Sequence, residues 1–200
     1  MQVIHRRTIL AGAGALAAAT VAAGALLRKP SPPPLAIPVG PPGAGAIRLH
    51  DFGSLIPANP PAPPPPATLI DAGGGAHSLA EFAGKGLVVN LWATWCAPCV
   101  AEMPALQGLA RAVAGEGILV LPLSSDIGGA AAVRTFYAAH GITDLPVWLD
   151  PRGAVGRLWG ARGLPTTLII DRKGREQGRV EGAVAWTAPA TLAAIRRLVG

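Results

Sequence analysis

Along residues 67–200, short continuous apolar runs alternate with stretches in which apolar side chains recur every three or four positions. "GLVVNLW" (86–92) is rich in β-branched residues and predicts a strand buried on both faces. "GILVLPLSSD" (117–126), "LPVWLD" (145–150), "TTLIID" (166–171) and "GRVEGAV" (178–184) predict further strands, with "DRKGR" (171–175) as the hairpin turn between the last two. Between them, "CVAEMPALQGLARAVAG" (99–115) reads as a helix with a glycine stop. "GGAAAVRTFYAAHG" (128–141) predicts a second helix with Val133, Phe136, Tyr137 and His140 along one side. "TAPATLAAIRRLVG" (187–200) predicts a closing amphipathic helix, with Leu192, Ile195 and Val199 inward and Arg196 and Arg197 outward. Ahead of these elements, "ATLID", the Gly-rich "AGGGA" and "HSLAEFAG" read as strand, turn and short helix, the helix opening on Ser78 and Glu81 at capping-box spacing. The order is a β-hairpin, βαβ, α, then ββα, which predicts an α/β fold: a mixed central sheet with helices on both faces.

The rest of the chain follows a different pattern. Residues 8–27, "TILAGAGALAAATVAAGALL", carry no charge and as a helix would reach about 30 Å, the thickness of a bilayer core. Twelve of these 20 residues are Ala or Gly, and "AAA" (17–19) and "AAG" (22–24) offer small-residue cleavage sites, so residues 1–29 fit a cleaved signal or a retained membrane anchor. "HRRTIL" (5–10) resembles a twin-arginine export signal through Arg6, Arg7 and Leu10, with Ile9, His5 and Ala11 departing from that pattern. The same arginines also satisfy the ordinary positive-inside bias of the general secretory route. Both routes imply a periplasmic or extracytoplasmic domain.

Composition marks the next boundary. Of 21 prolines, 14 fall within residues 30–66, where runs such as "PSPPPLAIPVGPPGAG" and "NPPAPPPPA" lack the amide donors of a helix or sheet and favour polyproline II. Residues 30–66 are therefore expected to form a semi-rigid tether, with "IRLHDFGSLI" (47–56) a loop or short docking segment within it. The formal charge of +6 is concentrated before residue 49; residues 67–200 carry 12 basic and 10 acidic side chains. No basic stripe with interleaved aromatics is present, so nucleic acid is not an expected partner.

The chemistry centres on Cys96 and Cys99, the chain's two cysteines, in "WATWCAPC". As a structural staple they close a very short loop, worth roughly 2 kcal/mol by chain entropy against nearly 5 for a 100-residue loop. As a zinc clasp they supply half a tetrahedral set with no second Cys or His pair at the right spacing. His77 and His140 read as surface residues, so no resident metal is expected, but copper(I) held by both sulfurs, alone or with Met103, keeps a copper carrier open as an alternative. As a redox pair, Cys96 sits where a strand ends and a helix begins, and the helix N-terminus favours its thiolate. Cys96 is then the nucleophile and Cys99, one turn on, the resolving thiol.

"WATWCAPCVAEMPAL" (92–106) and "GLPTTLIIDRKG" (163–174) together resemble the thioredoxin superfamily, and within it the exported TlpA and ResA type of thiol:disulfide oxidoreductase, over residues 67–199. The resemblance implies a thioredoxin-like fold with an N-terminal β-hairpin extension and Cys96 and Cys99 as attacking and resolving cysteines. It also implies a cis-proline loop at Leu164 and Pro165 that, with Trp95, meets the substrate, and a helix kink at Pro104. Where thioredoxins usually carry a buried aspartate, this chain has Asn90, which cannot titrate; Glu102 resembles the active-site glutamate of the ResA type and is the expected proton acceptor. By the same resemblance the protein is a monomer that needs no cofactor. The resemblance favours a reductant, which takes electrons from a membrane thiol donor and reduces exported substrates such as apocytochrome c or a copper-site assembly protein, with an oxidase role as the alternative direction.

Overall fold

The computed structural model describes residues 54–200; residues 1–29, expected to be a signal or an anchor, and most of the proline-rich stretch lie outside the described residues. Eight strands form one sheet: β1 (Ile56–Ala62), β2 (Leu69–Asp71), β3 (Ala76–His77), β4 (Gly86–Trp92), β5 (Ile118–Ser124), β6 (Trp148–Leu149), β7 (Thr166–Ile170) and β8 (Glu176–Glu181). Their spatial order is β1-β8-β7-β4-β5-β6-β2-β3. β4, β5 and β6 run parallel; on the other side of β4, β7 pairs antiparallel with β4 and β8 antiparallel with β7. The helices are α1 (Ala97–Ala112), α2 (Gly129–His140), α3 (Ala154–Leu158) and α4 (Pro189–Val199).

All seven residues of β4 are buried, as its unbroken apolar run predicts. Alternation along the strand divides them between two cores. Leu87, Val89 and Leu91 join Val155 and Trp159 around α3, whereas Val88 and Trp92 join Met103 and Leu106 of α1, Phe136 of α2 and Ile195 of α4. Asn90 shares the parity of Val88 and Trp92 and therefore faces α1.

The expected β-hairpin is β2–β3, pairing Leu69 with His77. "HSLAEFAG" gives a single 3-10 turn (Leu79–Phe82), where the Ser78 amide donates to Glu81 Oε1 at 2.8 Å. His77 bridges two acids, with Nδ1 2.7 Å from Glu81 Oε2 and Nε2 3.0 Å from Asp71 Oδ2. The two carboxylates draw its pKa up.

The proline-rich stretch departs from the expectation that it makes no sheet. Ile56–Ala62, "IPANPPA", is β1 and pairs antiparallel with β8. Prolines are compatible with this strand because β1 is the outermost in the sheet and needs donors on one side only. The two backbones approach closely at Gly178, where a Cβ would stand 2.7 Å from the Ile56 carbonyl oxygen. Pro65 is tied down as well, its carbonyl accepting from Trp159 Nε1 at 2.8 Å.

Candidate active site

β4 delivers the chain to the site and a short loop turns it into α1. Ser125 N donates to the Trp92 carbonyl at 3.0 Å, and Asp126 accepts from both Thr94 N (3.0 Å) and Thr94 Oγ1 (2.6 Å). Ser124 Oγ donates to Asp126 Oδ2 at 2.7 Å. The loop before the cysteines is thus clamped to the end of β5.

Cys96 is the N-cap of α1, and its sulfur accepts from Cys99 N at 3.3 Å. The two sulfurs are joined as a disulfide, with Cα atoms 5.2 Å apart. Cys96 retains 6% exposure and Cys99 none, so in this oxidised form an incoming thiol meets Cys96 first. Pro98 stands in the first turn, where its missing N–H costs nothing; Pro104 lies inside the helix, removing one amide from the ladder. Trp95 is 69% exposed beside the pair, and the Leu164–Pro165 peptide is cis. Trp95 and Leu164 line one groove.

Glu102 follows Cys99 by three positions on α1, which places the two on one helix face. It is fully buried, contrary to a solvated helix glutamate. Asn90 Nδ2 donates to its Oε1 at 2.9 Å, and Val184 N and Trp186 Nε1 donate to its Oε2, each at 2.8 Å. Asn90 Nδ2 also donates to Thr167 Oγ1 at 2.9 Å, across the Asn90–Thr167 pair of β4 and β7. Loss of water pushes the Glu102 pKa up to about 7, with the Val184, Asn90 and Trp186 donors pulling against that rise. The carboxyl can therefore take or release a proton near neutral pH.

Of the predicted site residues, Cys99 and Glu102 share α1, Trp95 and Leu164 line one groove, and Leu164 packs against the core cluster that holds Cys96 and Cys99; Pro165 immediately precedes β7. Sequence reasoning missed Asp126, Thr167, Val184 and Trp186. Met103, the third copper ligand considered, is fully buried in the core cluster around α1. His140 caps its own helix, with Nδ1 2.9 Å from the Phe136 carbonyl oxygen.

A cysteine pair at a helix start, a cis-proline loop and a buried helix glutamate, all mounted on this mixed sheet, define a thioredoxin-fold dithiol oxidoreductase. Residues 61–175 match the AhpC/TSA family. The thiol-disulfide oxidoreductase ResA of Geobacillus thermodenitrificans is 32% identical over 121 residues, which span 60% of this chain and 68% of the relative. Among solved structures, a thiol:disulfide interchange protein of the thioredoxin family from Chlorobium tepidum is 25% identical, with a TM-score of 0.58 over 70% of this chain and 97% of that one. The exposed lipoprotein thioredoxin of Streptococcus pneumoniae is 26% identical, with a TM-score of 0.56 over 66% of this chain and 98% of that one. The chain belongs to the AhpC/TSA family of thioredoxin-like proteins, with ResA-type thiol-disulfide oxidoreductases as its relatives, and it is a thiol-disulfide oxidoreductase.

Proposed function

We propose that the protein is an extracytoplasmic reductase of protein disulfides, with Cys96 as nucleophile, Cys99 as resolving thiol and Glu102 as the proton acceptor for Cys99. The Cys96 thiolate attacks one sulfur of the substrate disulfide, forming a mixed disulfide and releasing the other sulfur as a thiolate. Cys99 then loses its proton to Glu102 and attacks Cys96 Sγ. The second substrate sulfur leaves, the Cys96–Cys99 disulfide forms, and two electrons have passed to the substrate. A membrane thiol donor returns the protein to the dithiol. The observation that carries this reading is the fully buried Glu102, one turn past Cys99, whose proton affinity is centred on about pH 7.

Export is supported by the uncharged residues 8–27 and the proline-rich stretch after them. Residues 8–27 serve as a signal or as an anchor in the cytoplasmic membrane, and apocytochrome c or a copper-site assembly protein is the substrate class proposed. Among the described residues, no helix is long and apolar enough to cross a membrane, and no group of three or more His, Cys, Asp or Glu side chains is assembled to hold a metal ion. The direction of electron flow is tested by the equilibrium potential of the pair. A value at or below about −200 mV fits a reductase, and one near −120 mV, the range of a strong thiol oxidant, contradicts it. Stoichiometric copper in the purified protein would favour the carrier instead.

A further inference from the structure

A groove of about 510 Å³ is lined by Trp95 and Leu164 and by Asp150, Arg152 and Gly153 of the turn before α3. Leu91 and Ala161 contribute to its apolar lining, and Ile127, 93% exposed, stands at its edge. Its cationic side is unusual. Arg152 and Arg157 both line the groove and are exposed, and none of the ion pairs among the described residues includes either one. Arg157 Nη1 donates only to the Arg152 carbonyl, at 2.5 Å. Arg162, also in the lining, is already neutralised by Glu181 through a bidentate pair. The carboxylate in the lining, Asp150, is buried, and its oxygens accept from Val155 N and Gly156 N of α3. Two uncompensated guanidiniums therefore flank an apolar slot that is lined by Trp95, the residue before Cys96.

We propose that this groove docks an acidic substrate segment: an extended chain with an apolar side chain in the slot and carboxylates against Arg152 and Arg157, presenting its disulfide to Cys96. The proposal rests on the reductase reading above and names the substrate chemistry of the same site. Bidentate arginine–carboxylate pairing suits the task, and charges at the rim of an interface act mainly on association rate and its salt dependence.

Arg152 supplies a clean test because its backbone lies in the left-handed region, at φ 63 and ψ 18. Glycine adopts that conformation readily, so Arg152→Gly removes the charge without adding strain. Arg157→Gln keeps an amide donor for the Arg152 carbonyl. Single-turnover reduction by the pre-reduced protein is measured with two synthetic peptides of equal length. Each carries one disulfide and one leucine, flanked by glutamates in one peptide and by serines in the other. The wild type should reduce the acidic peptide about fivefold faster at low ionic strength, and the advantage should vanish at about 0.5 M salt. In the Arg152→Gly/Arg157→Gln variant the ratio of the two rates should fall to about one at low salt. Equal rates in the wild type, or an undiminished ratio in the variant, would overturn the docking proposal alone. A wild type that reduces neither peptide would overturn the reductase reading and the proposal with it.

Discussion

Burying Glu102 sets two effects against each other: loss of water favours the neutral carboxyl, and three N–H donors favour the carboxylate. The folded pKa of about 7 exceeds the ordinary 4.5, so between these values the folded state holds more proton than the unfolded state. Stability contributed by the protonated carboxyl is full below pH 4.5 and is lost as pH rises through about 7. Glu102→Gln has no such dependence. Urea unfolding at pH 5 and pH 8 should show the variant gaining on the wild type by on the order of 2 kcal/mol across that interval. Trp186→Phe acts the other way on the chemistry. It removes the Nε1 donor from the carboxylate, raises the Glu102 pKa and moves the pH midpoint of Cys99 reactivity upward, read by thiol alkylation, at a stability cost of about 1–3 kcal/mol. Asn90 and Glu102 were legible in the sequence because each sits a fixed few positions from the cysteines. Val184 and Trp186 were not: they reach Glu102 across 82 and 84 residues, and an ordinary "GAVAW" carries no local sign of that contact.

At the scale of elements, the strand–turn–helix unit of β4 and α1 makes the cysteines unequal. Cys96 caps the helix and keeps some exposure, while Cys99 is enclosed within the first turn. Cys99→Ser should accumulate mixed disulfides with substrate proteins, visible as thiol-sensitive adducts on non-reducing gels, and Cys96→Ser should not. Equal trapping by both would reverse the assigned roles. β4 and β5 were readable as unbroken apolar runs buried on both faces, and α1, α2 and α4 by the spacing of the apolar residues each buries. β1 was unreadable for the same reason in reverse: "IPANPPA" is mostly exposed, and its place on the sheet depends on an open edge at β8. The sheet therefore takes in residues ahead of Ala67, within the stretch that the proline count assigns to the tether. A chain beginning at Ala67 should lose β1 and unfold several degrees below one beginning at Ser54, measured as Tm by circular dichroism.

For the whole molecule, the sheet holds parts from distant segments around one buried carboxyl: α1 brings the sulfurs and Glu102, β4 and β7 bring Asn90 and Thr167, and the chain after β8 brings Val184 and Trp186. The fold class was legible because alternating strands and helices leave few ways to cover both faces of the sheet. The region proposed for the site was marked in the sequence by motifs at two junctions of that pattern, "WCAPC" after β4 and "GLP" before β7. The electrostatics of Glu102 was not, because desolvation depends on the complete core. The most direct test is therefore the rate of Cys99 alkylation in the reduced protein across pH 5–9, in the wild type and in Glu102→Gln. The wild type should show a component titrating near pH 7 that the variant lacks, together with slower disulfide exchange by the variant at neutral pH. Superimposable profiles with equal exchange rates would contradict the role of Glu102 as proton acceptor.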